Sequence, residues 1–298
     1  MAKKQKKQRP ALPEKRDMGE ALAQLEQPKM KWKVVAQIAV GFIILWVIAG
    51  MLSPYLGIWG FVGAGVLTLI ALGFAFYIWR MTKKSSNIMG ILKGATDEEG
   101  RKRAIEALQS QGDGDAMAKL AEAQLVAQED PKAAMEVLES IDIPKAPKLV
   151  QNDVRAQLGL MYLIHGRAKD ARALADAITL EAQPQPKQKA MYAAVMCEAW
   201  ARTGKADEAA KLLSDYDPED PAYDDMQALL YRAQIFVSLK KKKKGRARTA
   251  MMRLARIDAN QLGAFLQKGT HPEVKRLAME VLQKEGYAPK QRVQFRTR

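Results

Sequence analysis

Residues 34–79 read VVAQIAVGFIILWVIAGMLSPYLGIWGFVGAGVLTLIALGFAFYIW and contain no charged side chain. Ser53-Pro54-Tyr55 divides this stretch into two apolar segments, 34–52 and 58–79. At about 1.5 Å of rise per residue, each segment covers roughly 30 Å as a helix, the thickness of a hydrocarbon core. The pattern predicts a transmembrane hairpin. A hairpin buried in a soluble core is disfavoured, because no other part of the chain is apolar enough to surround it.

Basic residues flank both ends of this stretch and are absent from its central turn. Ten Lys and Arg residues precede the first segment, and Arg80, Lys83 and Lys84 follow the second. Cytoplasmic loops of membrane proteins carry the excess of Lys and Arg, so both termini are expected in the cytoplasm. We therefore expect a two-span integral protein of a bacterial inner membrane, with anionic lipids near its basic flanks.

The remaining chain divides by composition into two tails, a linker and a helical domain. Residues 1–33 form a basic tail in which 17–25 is either a short amphipathic helix lying on lipid or a frayed segment. Residues 80–95 form a basic juxtamembrane linker, and 287–298 a basic C-terminal tail. Strand signals are missing from 96–286, so an all-α fold is expected, with Thr96 as the N-cap of a first helix that caps the array.

Helix pairs are predicted at 115–128 with 131–140, 149–165 with 168–180, 187–203 with 206–215, and 222–240 with 246–257. Two short helices at 260–268 and 272–285 would cap the far end.

Two segments of this domain, 158–171 and 196–209, share one pattern centred on the turn glycines Gly166 and Gly204. An aromatic residue stands four positions before each glycine and an alanine five positions after it: Tyr162 with Ala171, and Trp200 with Ala209. Glycine permits a left-handed turn between helices, while alanine allows the paired helix to approach closely. Looser copies of the pattern, centred on Glu129 and Gly245, add one repeat on either side. The sequence intervals between successive turns are similar.

This pattern resembles the tetratricopeptide repeat (TPR), which implies an α-solenoid built from helix pairs. With the two predicted spans, the arrangement is similar to that of bacterial HemY-type membrane proteins. The chain departs from them in its very short membrane turn and its shorter array. Nothing about haem metabolism is therefore carried over.

The resemblance also implies a binding groove, because the first helix of each pair lines the concave face of such a solenoid. Candidate groove residues are Lys119, Leu160, Leu163, Met191, Glu198 and Arg202. Some members of the family hold a terminal carboxylate with paired lysine and asparagine. The corresponding pairs here are Lys119 with Ala123, Ala156 with Leu160, and Ala194 with Glu198, so that clamp is not expected. A mixed apolar and polar groove for a peptide or helix remains open.

A second candidate surface is the basic run Lys240, Lys241, Lys242, Lys243, Lys244, Arg246 and Arg248. Residues 240–298 carry 17 basic and 4 acidic side chains, so this part of the chain is strongly cationic. The run could contact anionic lipid, an acidic protein or nucleic acid. Alternatively, it is a solvated helix end that complements the helix dipole. No aromatic residues interleave with the lysines, so nucleic acid is the least favoured partner.

Chemistry-bearing motifs are scarce. Cys197 is the only cysteine and His165 and His271 are the only histidines, so no catalytic residue, metal or cofactor is expected. We expect a membrane-anchored adaptor or scaffold that recruits or organises a protein partner at the cytoplasmic face. The alternative is a structural or accessory subunit of a membrane complex, whose specific contacts are made by the hairpin.

Overall fold

The computed structural model describes residues 32–51, 55, 57–95, 97–112, 114–266 and 270–287. Its α-helices are α1 (Trp32–Met51), α2 (Trp59–Lys93), α3 (Glu98–Gln109), α4 (Ala116–Val126), α5 (Pro131–Glu139), α6 (Lys148–Ile164), α7 (Ala168–Ala175), α8 (Pro186–Arg202), α9 (Ala206–Leu213), α10 (Gln227–Lys240), α11 (Lys244–Ile257), α12 (Ala259–Ala264) and α13 (Pro272–Glu285). Short 3-10 helices lie at Ile143–Lys145 and Pro221–Met226. No strand occurs in these ranges, which confirms the all-α expectation.

The chain forms two compact units, and the boundary falls between Gly112 and Asp113. In the first unit, α1 contacts α2. Ala49 on α1 and Ala64 on α2 are buried. The Trp46 indole donates a hydrogen bond to the Thr68 hydroxyl at 3.2 Å, and that hydroxyl donates to the Ala64 carbonyl at 2.7 Å. Small residues and one polar contact therefore join the two helices, as is common between helices in lipid.

The outer surface of α1 and α2 is apolar. Every exposed large hydrophobic side chain among the described residues, except Ile257, lies between Val40 and Trp79. Within the described part of the chain, Trp59–Tyr77 is the one segment long and apolar enough to cross a membrane, and only 6% of it is buried. Water-soluble surfaces rarely expose a continuous apolar area of this size, so the surface favours contact with lipid.

The residues of the predicted linker at 80–95 are helical as far as Lys93, because α2 continues without interruption to that residue. Charged residues after Trp79 end the apolar surface but do not break helical hydrogen bonding, and no proline follows. Ile88 and Leu92 on α2 are buried, and this end of the first unit also contains α3. The helix α3 thus belongs to the first unit.

The N-cap of α3 is Asp97, whose Oδ1 accepts the Gly100 backbone N–H at 2.7 Å. This corrects the assignment of that role to Thr96, which lies outside the described residues. The tails at 1–31 and 288–298, with the helix predicted at 17–25, also lie outside them, as do Ser53 and Pro54 of the membrane turn.

The second unit contains the predicted helix pairs. Contacts join α4 with α5, α6 with α7, α8 with α9, and α10 with α11, and the first helices α6, α8 and α10 contact one another in sequence. The 3-10 helix at Pro221–Met226 replaces the start of the predicted helix 222–240. At the far end, α12 and α13 contact each other and α11.

Three of the turns between paired helices are left-handed. Gly166 has φ +81°, Gly204 has φ +103° and Lys242 has φ +59°, and these three positions are evenly spaced along the chain. In each turn, the next backbone N–H donates to the carbonyl five residues earlier, at 2.8–2.9 Å. The turn predicted at Gly245 is wrong, because that glycine lies inside α11. Lysine takes the left-handed conformation instead, since the run 240–244 contains no glycine.

The residues around these turns repeat their contacts. Five residues after each turn stands an alanine with no exposed surface: Ala171, Ala209 and Ala247. Four residues before the first turn, the Tyr162 hydroxyl donates to Glu139 at 2.8 Å, and this hydrogen bond lowers the pKa of Glu139. Before the second turn, the Trp200 indole donates to Asp176 at 2.8 Å. Tyr162 and Trp200 thus each link a helix pair to the pair before it.

We predict that Lys242→Gly stabilises the fold by about 1 kcal/mol, because a left-handed backbone costs any residue with a Cβ atom about 1–2 kcal/mol. Urea unfolding of the full chain in detergent micelles, followed by circular dichroism, measures the change. Lys242→Ala is the matched control: it removes the same charge but keeps the Cβ atom, and should leave stability nearly unchanged. Equal stabilisation by both substitutions would instead show that charge repulsion within the run is relieved.

Candidate functional site

A cavity of about 620 Å³ lies in the second unit, where successive first helices meet the far end of the chain. Its wall is formed by the C-terminal ends of α6, α8 and α10, by α12, and by the start of α13. The C-terminal ends of helices expose unpaired carbonyl groups, so such a wall carries negative partial charge unless cations stand there. Here Arg202, Lys240 and Lys242 occupy these ends.

Two arginines of the wall share one carboxylate that lies behind it. Glu198 is 2% exposed and accepts hydrogen bonds from Arg232 Nε at 2.8 Å, Arg232 Nη2 at 3.1 Å and Arg202 Nη1 at 3.0 Å. Arg202 Nη1 also donates to the Leu163 carbonyl at 2.6 Å. Two guanidinium groups facing one carboxylate leave a net charge of +1 at a largely buried position. This excess charge is the main electrostatic feature of the cavity.

Aromatic rings hold both guanidinium groups in place. The guanidinium carbon of Arg202 lies 4.9 Å from the centroid of Phe236, and that of Arg232 lies 5.1 Å from the centroid of Phe265. The two rings themselves meet edge to face, with centroids 5.7 Å apart. Such cation–π contacts are worth about 0.5–2 kcal/mol each and fix the arginine planes. The rings therefore restrict the positions of both guanidinium groups.

The rim of the cavity is polar and mostly cationic. Lys240, Lys242 and His271 line it and are exposed. Glu273 also lines it, but this carboxylate pairs with Lys244 Nζ at 2.7 Å. The hydrogen bond from Lys244 lowers the pKa of Glu273, so the carboxylate stays ionised and its charge is balanced by that lysine. Lys240 and Lys242 form no ion pair with any of the described residues.

The cavity contains some of the predicted groove residues. Leu163 and Arg202 line it, and Glu198 lies behind Arg202. The other three lie elsewhere. Lys119 Nζ donates to Ser140 Oγ at 3.0 Å, while Leu160 and Met191 pack against the hydrophobic core of the earlier helix pairs. Sequence position within the first helices did not distinguish the face that packs against a neighbouring pair from the face that remains open.

The predicted basic surface is divided by ion pairs. Lys240 and Lys242 face the cavity, whereas Lys241, Lys244 and Arg248 bind carboxylates of neighbouring helices: Asp207 at 2.5 Å, Glu273 at 2.7 Å and Glu280 at 2.6 Å. Lys243 and Arg246 are exposed. The run therefore does not present one uniform cationic face.

Among the lining residues that were missed from sequence, Arg232, Phe236 and Phe265 matter most, because they hold the two guanidinium groups in place. A signal for Arg232 was present, because it interrupts the mostly apolar run 228–237 of α10, just as Glu198 interrupts the apolar run of α8. Charged residues are almost never fully buried unless they are paired. Two opposite charges on neighbouring buried helices therefore predict a buried ion pair.

The cysteine beside this network takes no part in it. Cys197 has no exposed surface, and its thiol lies 3.3 Å from the Ala209 carbonyl. Burial raises the pKa of Cys197 to about 12, so the group remains a thiol at neutral pH.

The chain matches no protein-family model, no curated protein and no solved structure. The geometry of the cavity therefore carries the functional argument.

Glu198→Gln is expected to lower the free energy of unfolding by about 3–5 kcal/mol, because it leaves Arg232 buried without a counter-charge. The matched control is Asp225→Asn, which removes the carboxylate of the exposed Lys187–Asp225 pair and should cost less than about 1 kcal/mol. Urea unfolding of the full chain in micelles measures both. A loss from Glu198→Gln no larger than that of the control would contradict the shared ion pair.

Proposed function

We propose that this protein is a membrane-anchored adaptor, in which a TPR-like solenoid recruits a protein partner at the cytoplasmic face. The observation that carries the proposal is the preorganised cavity centred on Arg202, Arg232 and Glu198. Binding sites are typically concave, partly apolar and lined by a few fixed polar groups, and this cavity has each of these properties. The solenoid supplies the scaffold, and the membrane helices fix its location.

The proposed anchor is a hairpin of two spans, α1 and α2. The exposed apolar segment Trp59–Tyr77 supports the second span. The first span is supported by the sequence of α1, whose 20 residues include one charged side chain, Lys33. The contact of Trp46 with Thr68 supports direct packing of the two helices. Basic residues before α1 and after Trp79 support, by the positive-inside rule, a cytoplasmic location for the second unit in a bacterium.

The proposed solenoid is supported by the repeated turns. Left-handed residues stand at the evenly spaced positions 166, 204 and 242, and each is followed by a buried alanine that allows close helix pairing. Contacts run between successive helix pairs, as they do in arrays where each unit touches only its neighbours. The period is slightly longer than the TPR period of about 34 residues.

The alternative is an accessory subunit of a membrane complex. The aromatic surface of the membrane helices favours it: Trp46 and Phe61 lie in contact, with ring centroids 6.4 Å apart, and both are exposed. A protein neighbour could cover these rings as readily as lipid does. In that case specific recognition would reside in α1 and α2, and the cavity would be secondary.

A photo-crosslinking amino acid at His165 separates the two functions. This residue is exposed and lines the cavity, and the control position Lys211 is exposed on α9 away from it. In intact cells we expect a protein adduct from His165 and none from Lys211. The adduct should survive replacement of residues 34–79 by an unrelated two-span hairpin. Loss of the adduct in that chimera would favour the accessory subunit, and equal capture from both positions would contradict a specific site.

A further inference from the structure

We infer that the cavity binds an acidic segment of the partner protein: one carboxylate lies between Arg202 and Arg232, and a neighbouring apolar side chain fills the rest. The inference rests on the proposed adaptor function and names the chemistry that the partner must present. It follows from the charge of the wall, its free hydrogen-bond donors and its unburied apolar surface.

The wall of the cavity carries an excess of positive charge. Glu198 neutralises one of the two guanidinium groups, and the remaining positive charge lies where side chains are only 7% and 18% exposed. A poorly hydrated cation favours an anionic partner more strongly than one in bulk water does. Lys240 and Lys242 on the rim add two further positive charges, whereas Glu273 is already paired with Lys244. Charge complementarity therefore selects an acidic ligand.

The two arginines have more hydrogen-bond donors than their contacts with the described residues use. Arg202 uses only Nη1, and Arg232 uses only Nε and Nη2, in hydrogen bonds with the described residues. Arg202 Nε and Nη2 and Arg232 Nη1 thus remain as donors on two groups held by aromatic rings. A carboxylate can accept from both arginines at once, and charge-assisted hydrogen bonds of this kind are the strong ones. The site is preformed for such a group.

Part of the cavity wall is apolar. Ile164, Leu239 and Ala264 line the cavity and are only half-buried, so they retain apolar surface that a ligand could cover. A volume of about 620 Å³ is large for a carboxylate alone and accommodates at least one large side chain beside it. Burial of such a side chain contributes about 1.5–3 kcal/mol. The carboxylate and the apolar side chain together give specificity that neither would give alone.

A protein segment fits the cavity better than a fatty acid. An alkyl chain needs an apolar enclosure along its length, whereas about half of the residues that line this cavity are charged or polar. The two rim lysines can also bind acidic residues that flank the buried one. These features match an extended peptide that lies across the opening with one side chain inserted.

A random heptapeptide display library, selected against the full chain in nanodiscs, tests the inference. We expect enriched peptides to place Asp or Glu beside a large apolar residue. Arg202→Gln should weaken their binding at least about tenfold, since a hydrogen bond between charged groups is worth about 1.5–3 kcal/mol.

The matched control is Arg172→Gln. Arg172 is 15% exposed, pairs with a carboxylate four residues later and lies 5.9 Å from the Trp200 ring, but does not line the cavity. The Arg172→Gln variant should bind the enriched peptides with the same affinity as the wild type.

A second variant guards against loss of structure. Lys242→Gln changes an exposed rim residue, so the chain should fold normally, and binding of the acidic peptides should weaken several-fold and become less dependent on salt. Circular dichroism verifies the fold of each variant.

Three outcomes would overturn the inference. Enrichment of uncharged peptides whose binding resists both substitutions would contradict it while leaving the adaptor function intact. Failure to enrich any peptide would also contradict it, and the crosslinking from His165 would then decide the adaptor function separately. Binding of a fluorescent fatty acid that Arg202→Gln abolishes, without enriched peptides, would assign the cavity to a lipid.

Discussion

The second unit depends on one shared carboxylate. Glu198 on α8 accepts hydrogen bonds from Arg202 on its own helix and Arg232 on α10, while Arg202 reaches back to the last turn of α6 through the Leu163 carbonyl. One network therefore spans three successive first helices. Burying an ion pair costs desolvation energy that its attraction only partly offsets, so the network is a weak source of net stability. The network instead fixes the positions of two arginines at the wall of a cavity, where one positive charge is left uncompensated.

The even spacing of the turns explains why these side chains meet. Left-handed residues at 166, 204 and 242 return the chain in the same register each time, so equivalent ends of α6, α8 and α10 lie side by side. Buried alanines permit close packing within each helix pair. Tyr162 and Trp200 each connect a helix pair to the previous pair by donating a hydrogen bond to a carboxylate. The cavity opens where this regularity ends, at the short helix α12.

Local pattern predicted the helices well and the site only in part. Apolar periodicity and the turn glycines at 166 and 204 located the helix pairs, because both act over a short stretch of chain. Gly245 misled, since glycine permits a left-handed turn without requiring one, and Lys242 adopts it instead. The helix α2 extends past the apolar segment into the predicted linker, because charge marks the end of an apolar surface and not the end of a helix. Arg232 could have been predicted, because it and Glu198 are opposite charges within apolar stretches of two neighbouring helices. Phe265 could not, because its contact with the Arg232 guanidinium group joins helices far apart in sequence.

Because Glu198 neutralises only one of the two arginines, an anion can bind between their guanidinium groups. The most direct test is a crystal of the full chain grown in a lipid mesophase, soaked in bromide and measured at the bromine absorption edge. We expect an anomalous peak within hydrogen-bonding distance of both the Arg202 and the Arg232 guanidinium groups. Bromide found only at the exposed lysines, with the space between the two arginines empty, would contradict it.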